Sequence, residues 1–340
     1  AAVQNHIRVD QPAPTVSLQV AVYNGARFLA ATLESLLSQS WTDFELLMVD
    51  DGSTDETPQI LADYATRDPR ISLLHNPIRQ GVSAARNRAL AHSCGRYVAI
   101  SDADDCSYPQ RLEKQVAFLD AHPEIGVVSA GVGWIDEAGT PLHKEQRPAE
   151  DALLRWRLLF CPPVIHTASM IRRQCLQSIG GYDEGKPCAV DYDLWLRLAP
   201  YTKFYNIQEQ LVVRRRHSQS ISVQHVEEQN RIATQLTQAA LVKLVKQPVA
   251  FEVAHVLRTV VMNRSLQANS VRLRQAAHLL LHIYQAYIKE ITLTTKEQQM
   301  LAAELARYFR YLAGYQRQQG AWRGYLYSRW QAQIMQVKLD

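Results

Sequence analysis

Two hydrophobic rhythms divide the chain. In its first two hundred residues, short apolar runs at 16–22, 44–50, 71–75, 97–101 and 125–130 read as strands. Between them the apolar residues recur every third or fourth place. Residues 26–39 carry Phe28, Leu29, Leu33, Leu36 and Leu37 in that spacing and predict a helix, as do 55–65, 82–91 and 109–120. Ser53, Thr54 or Asp55 is available to cap the second helix, and Pro109 suits the first turn of the fourth. Strands separated by short helices predict right-handed βαβ units and a mostly parallel sheet. From about residue 216 glycine and proline thin out, and helical spacing takes over at 229–245, 249–262, 270–288, 295–312 and 322–337. The chain is expected to divide into an α/β domain over 1–222 and an all-α domain over 223–340.

In open parallel sheets ligands gather beyond the carboxyl ends of the strands. That places Tyr23-Asn24-Gly25 after the first strand, Asp50-Asp51-Gly52-Ser53 after the second and Asp102-Ala103-Asp104-Asp105 after the fourth, all on one rim. Two carboxylates at alternate positions after an apolar strand repel each other unless a cation neutralises them, and hard oxygen ligands suit Mg²⁺ or Mn²⁺. A solvated acidic turn is the plainer alternative for Asp102 and Asp104. Asp51 sits in a tight turn where a carboxylate can accept from a uracil imide or ribose hydroxyls, or can serve as turn punctuation.

Gly81 opens a helix with Arg86 and Arg88 in its early turns. This is a phosphate-favouring arrangement, or otherwise an exposed basic face. Asp191, in Ala189-Val-Asp-Tyr-Asp-Leu-Trp-Leu-Arg197, opens an amphipathic helix after Gly180-Gly181. It is a candidate general base or a helix cap. Arg214-Arg215-Arg216-His217 offers cations for a diphosphate and, in His217, a further metal ligand; the alternative is a solvated basic loop.

Composition narrows the setting. The protein has 340 residues with ordinary apolar content, enough for a sizeable core. Residues 1–220 hold 22 Lys and Arg against 26 Asp and Glu, whereas 221–340 hold 15 against 7. The body is mildly acidic and the helical region basic. No compact basic run points to nucleic acid. Five scattered cysteines without metal spacing read as reduced thiols. The polar start, 1–14, lacks the pattern of a secretion signal, and no apolar run reaches the roughly 18 residues of a membrane span. The expected location is the cytoplasm, including the inner membrane face.

The joint order of these motifs over about residues 16–222 resembles the family 2 glycosyltransferases of the GT-A fold. The resemblance rests on the strand before Tyr23-Asn24, the Val-Asp-Asp-Gly-Ser turn, the Gly-Val-Ser-Ala-Ala-Arg-Asn helix, the Asp-x-Asp pair and Asp-Tyr-Asp-Leu-Trp-Leu-Arg. It implies an αβα sandwich and an inverting, metal-dependent enzyme of hexosyl- or N-acetylhexosaminyl-transferase type. The implied donor is a nucleotide sugar, UDP-linked, and the acceptor a glycan, lipid-linked molecule or protein. It implies that Tyr23, Asn24 and Asp51 hold the nucleoside, and that Arg86 lies beside the nucleotide or diphosphate. Asp102 would touch ribose or the ion, Asp104 would bind Mn²⁺ or Mg²⁺, Asp191 would be the base, and His217 would reach the diphosphate or metal. Two positions depart from many relatives: Ala21 stands where they have Pro, and Val190 where they have Glu before the base.

Two other functions compete. A sugar-1-phosphate nucleotidyltransferase would need a glycine-rich basic loop where Tyr23-Asn24-Gly25-Ala26-Arg27 stands. A non-catalytic nucleotide-sugar sensor would have no use for Asp191. For the helical region three roles compete: shaping the acceptor pocket, peripheral contact with an anionic membrane, or association with another copy or a protein partner.

Overall fold

The structure, a computed structural model, describes residues 13–218, 220, 225–266 and 268–337. The first twelve residues, and the 221–224 stretch in which the sequence reading sets its domain boundary, lie outside the described residues. The chain forms two compact units. One comprises residues 1–150 and 164–225, the other 151–163 and 226–340.

The first unit is built on a nine-stranded sheet in the order β3-β2-β1-β4-β8-β6-β9-β5, with β7 paired to β6. Its early strands are β1 (Val16–Val22), β2 (Phe44–Asp50), β3 (Ile71–His75) and β4 (Tyr97–Asp102), all parallel. The helices between them are α1 (Ala26–Leu37), α2 (Thr57–Arg67) and α3 (Val82–His92). Alternate residues split the strands between two faces. Val16, Leu18, Val20, Phe44, Leu46, Met48, Ile71 and Leu73 pack with Leu29, Leu33 and Leu36 of α1 and with α4 (Arg111–Ala121). On the other face Leu47, Val49 and Leu74 meet Ala85 and Ala89 of α3. Two helical layers on one sheet give the αβα sandwich expected from the sequence.

The far half of the sheet is mixed rather than parallel. The strands β5 (Cys106–Ser107), β6 (Ile125–Ile135), β7 (Pro141–Glu145), β8 (Met170–Arg172) and β9 (Lys203–Arg215) add one parallel pairing, β6 with β9; every other pairing there is antiparallel. Polar residues inside β9, Gln208, Glu209 and Gln210, hide it from a search for apolar runs. Helices α6 (Arg173–Ser178) and α7 (Val190–Leu198) lie between β8 and β9 in the chain.

The second unit is helical. It comprises α5 (Asp151–Leu158), α8 (Val226–Val245), α9 (Phe251–Val261), α10 (Ser270–Glu290), α11 (Thr295–Gln318) and α12 (Trp322–Val337). The sequence reading cuts the chain once; here the 151–163 segment also leaves the α/β unit. Its fully buried Trp156 sits among Phe160, Tyr284, Tyr287 and Tyr308 at centroid distances of 5.3–6.5 Å. Arg157 pairs with Glu304 at 2.8 Å, and the Phe160 carbonyl accepts from Arg258 at 3.0 Å. Helix α11 starts with a full capping box, Thr294 with Glu297, and α10 with Asn269 as its cap. Among the described residues no helix is long and apolar enough to cross a membrane.

Candidate active site

The first three strands run outward in order from β1 to β3, and the chain then crosses back to lay β4 on the other side of β1. This switch point opens a crevice at the strands' carboxyl ends. The register puts Val22 of β1 opposite Asp50 and Ala21 opposite Asp102. The loop carrying Tyr23 and Asn24 therefore lies between the two acidic turns.

The β1–β3 side of the rim is tightly bonded to itself. Asn24 takes a left-handed φ of 50°, and its side-chain oxygen accepts the Thr54 backbone N–H at 2.8 Å. The buried Asp51 carboxylate accepts three donors: Asn76 Nδ2 at 2.7 Å, the Gln80 N–H at 2.9 Å and the Gly81 N–H at 2.8 Å. Asp50 accepts from Ser53 N–H at 3.0 Å and contacts His75 Nδ1 at 2.8 Å. Gly52 has a φ of 76°, and a Cβ there would stand 2.7 Å from the Arg79 nitrogen, so this turn accepts only glycine. Arg88 bonds the His75 carbonyl at 2.8 Å and so braces the same loop. Tyr23 remains 39% exposed, with the Arg79 guanidinium 4.2 Å from its ring centre.

The β4–β9 side concentrates charge. Carboxylate oxygens of Asp102, Asp104 and Asp105 lie within 4.8 Å of one another. Arg86, only 2% exposed, donates to Asp102 Oδ1 at 2.6 Å, while its Nε and Nη1 make no hydrogen bond. The short β5 directly after the acidic turn pairs with β9, Cys106 opposite Val213, and this pairing delivers the basic segment to the acids. The Arg215 backbone N–H donates to Asp105 Oδ1 at 3.0 Å, Arg214 Nε lies 3.6 Å from Asp105 Oδ2, and His217 Nε2 meets Asp104 Oδ2 at 2.7 Å. The His217 ring is held 5.0 Å from Phe28, and Arg214 lies 4.4 Å from the Trp134 ring centre.

The crowding moves the protonation equilibria. Burial and the repulsion of Asp102 raise the Asp104 carboxyl above its ordinary range. Burial, opposed by Arg214 and reinforced by Asp104 and Asp102, pushes Asp105 up to about 8. Burial also acts to raise Asp102, but the positive charge of Arg86, chief among several cations, outweighs it and holds this carboxyl low.

Asp191 occupies the second position of α7. The cap is Ala189 in a left-handed conformation, φ 55° and ψ 31°, an uncommon and strained state for a residue with a Cβ. Asp191 is therefore not the helix cap; its Oδ1 accepts the Tyr192 N–H at 2.8 Å. Burial raises its carboxyl, while Arg147 and Arg214 pull it down and Asp102 pushes it up. Trp195 of α7 lies 5.8 Å from the His166 ring, and the neighbouring Thr167 hydroxyl accepts the Asp102 backbone N–H at 3.1 Å, so α7 abuts the turn that borders the acidic cluster.

Two further residues stand there that no motif flagged. His166 Nε2 meets the Tyr182 hydroxyl at 2.9 Å, and its ring lies 5.8 Å from that of Trp195. Burial and the nearby Arg86 lower its pKa to about 3, so the ring is neutral. Burial pushes the Tyr182 hydroxyl up to about 12. Tyr182 follows Gly180-Gly181 in the sequence, which was a usable signal; a single histidine after Pro162-Pro163 was not.

Comparisons with known proteins place the chain in a family. The family model described as glycosyl transferase family 2 matches residues 17–180. EpsE of Bacillus subtilis, whose own glycosyltransferase assignment is provisional, is 37% identical over 203 residues, spanning 58% of this chain and 72% of EpsE. The uncharacterized glycosyltransferase MJ1057 of Methanocaldococcus jannaschii is 33% identical over 204 residues, 58% of this chain and 70% of MJ1057. Among solved structures, S. aureus TarS 1–349 in complex with UDP-GlcNAc matches 91% of each chain with a TM-score of 0.56 and 17% identity. The mannosyltransferase PcManGT of Pyrobaculum calidifontis, in complex with GDP-Man and Mn²⁺, matches 97% of this chain and 88% of that chain with a TM-score of 0.53 and 21% identity. The solved structures establish the GT-A fold, and the sequence relatives, each matched over more than two thirds of its own length, establish that this chain belongs to the family 2 glycosyltransferases.

Proposed function

We propose that this glycosyltransferase is metal-dependent and inverting, and that it moves a hexosyl or N-acetylhexosaminyl group from a UDP-linked donor to an acceptor hydroxyl on a glycan, lipid-linked molecule or protein. The observation that carries the reading is that Asp102, Asp104 and Asp105 meet Arg86, Arg214 and His217 at the strand ends, with α7, which bears Asp191, packed on the His166–Thr167 turn bonded to Asp102. A base and an acidic cluster in one crevice are what a single displacement at a sugar carbon requires.

The donor set fits a small divalent cation. Three hard oxygen ligands lie within 4.8 Å, an imidazole is adjacent, and crowding has raised two of the carboxyls, which a cation would relieve. Asp104 would hold Mn²⁺ or Mg²⁺ with Asp102 beside it; His217 Nε2 would exchange its Asp104 partner for the ion. When bound, such an ion neutralises charge on the departing diphosphate.

The chain's own residues do the rest. Tyr23 offers an exposed aromatic face for the base, within the loop frame that Asn24 and Asp51 hold. Arg86 offers its unpartnered N–H groups to phosphate oxygens. Asp191 takes the acceptor proton as the acceptor oxygen bonds to the anomeric carbon from the face opposite the diphosphate. The bond to the diphosphate breaks with its electron pair, so configuration inverts. His166 and Tyr182, neutral and hydrogen-bonded to each other, line the crevice without adding charge. All five cysteines are free thiols, which suits the cytoplasm as the setting.

The test is nucleotide release from a panel of UDP-, GDP- and dTDP-sugars with Mn²⁺, Mg²⁺ or chelator, and NMR of the product's anomeric configuration. Metal-stimulated release from a UDP-sugar with inversion is expected. Chelator-resistant turnover, or retention of configuration, would contradict the proposal.

A further inference from the structure

Helix α12 wears its bulk on the outside. Trp322, Leu326 and Trp330 are 59%, 62% and 56% exposed, while Ser328, Gln331, Ala332 and Met335 are buried. Gly324 is also buried, and the ring of Tyr327 lies tilted 4.6 Å from that of His278 of α10. A helix that only had to pack on its own unit would turn the tryptophans inward and the serine and glutamine outward. With 3.6 residues per turn, Trp322, Arg323, Leu326, Arg329, Trp330 and Gln333 fall within an arc of about 120°. All six are exposed.

The charge along this stretch of the chain has one sign. From Arg307 to Lys338 the sequence holds Arg307, Arg310, Arg317, Arg323, Arg329 and Lys338, with no Asp or Glu between Glu304 and Asp340. Arg310, Arg317, Arg323 and Arg329 are exposed. Arg329 spends its hydrogen bond on the Tyr325 hydroxyl at 3.0 Å.

We propose that this face of α12 lies on an anionic lipid surface. Tryptophan settles at the boundary between headgroups and acyl chains, where its ring is apolar and its N–H stays wet. Leu326 between the two tryptophans adds apolar area to the same stripe, and arginine beside them meets the negative headgroups. A second copy of the chain is a poorer occupant. A two-fold pairing of this face sets Arg323 and Arg329 against themselves, with no acid on α12 to receive them.

The proposal concerns binding alone and stands apart from the catalytic reading. The full chain is floated with vesicles of phosphatidylcholine, and of equal parts phosphatidylcholine and phosphatidylglycerol. It should rise with the anionic vesicles only, and high salt should release it. Trp322→Ser/Leu326→Ser/Trp330→Ser should lower the bound fraction about tenfold or more, and Arg323→Glu/Arg329→Glu should do the same. These side chains are exposed, so both variants should keep the wild-type circular dichroism and nucleotide release in solution. Wild-type protein that stays unbound at low salt, or a triple variant that floats as well as wild type, overturns the proposal. A wild-type dimer that the triple variant dissolves, without flotation, overturns it in favour of self-association.

Discussion

The two sides of the rim use carboxylates in opposite ways. On the β1–β3 side, Asp51 is buried and takes three N–H donors from the 76–81 loop. On the β4–β9 side, Asp104, Asp105 and Asp191 are raised by burial and by the charge of Asp102, and the buried Arg86 keeps its Nε and Nη1 without a partner. On the first side Asn24 and Asp51 have their partners and set the shape of the loop that presents the exposed Tyr23. The second stores unfavourable charge, the usual condition of a site completed by a ligand.

That contrast can be broken most sharply at Asp191. Asp191→Asn should lower kcat by about 10³-fold while leaving thermal stability equal or higher, because burial disfavours the charge that is removed. Turnover kinetics and a melting curve read both halves; near-normal kcat would remove the base from the scheme. Asp51→Ala should behave in the reverse sense. Three donors lose their acceptor, so denaturant unfolding should show a loss of about 3 kcal/mol. Full stability in that variant would mean that Asp51 is not architectural.

A pH profile comes next in size. Asp191 must be ionised to act as base, and its pKa is raised, so kcat/KM should fall as pH drops through a value above the ordinary carboxylate range. An acid limb at or below that range would contradict the burial argument. The smallest effect is expected at Ala189. Ala189→Gly relieves the left-handed strain but loosens the unfolded chain, for a net gain of roughly 0.5 kcal/mol. A loss of stability would show that the Ala189 side chain packs more usefully than its φ costs.

Much of this was legible in the sequence wherever apolar rhythm and turn chemistry coincide. The runs 16–22, 44–50 and 71–75 are strands with those same bounds, and Asp102, Asp104, Arg86 and His217 do meet. The five later helices lie where their spacing put them. What stayed hidden depends on pairing between distant segments. The strand β9 carries a polar middle that no periodicity test selects, yet its register with β5 brings Arg214 and His217 to the acids. The departure of 151–163 to the helical unit depends on Trp156 finding three tyrosines that lie more than a hundred residues away. Helical spacing alone does not separate the aromatics near the end of the chain: Tyr308 and Phe309 are core, whereas Trp322 and Trp330 face outward.

The central claim is that the charge stored between β4 and β9 receives a metal-bound nucleotide diphosphate. A crystal structure grown with UDP and Mn²⁺, with an anomalous map at the manganese edge, tests it most directly. The account predicts a manganese peak at coordination distance from Asp104, with the diphosphate beside Arg86. Manganese bound away from Asp104, or UDP bound with its diphosphate remote from Arg86, would contradict it.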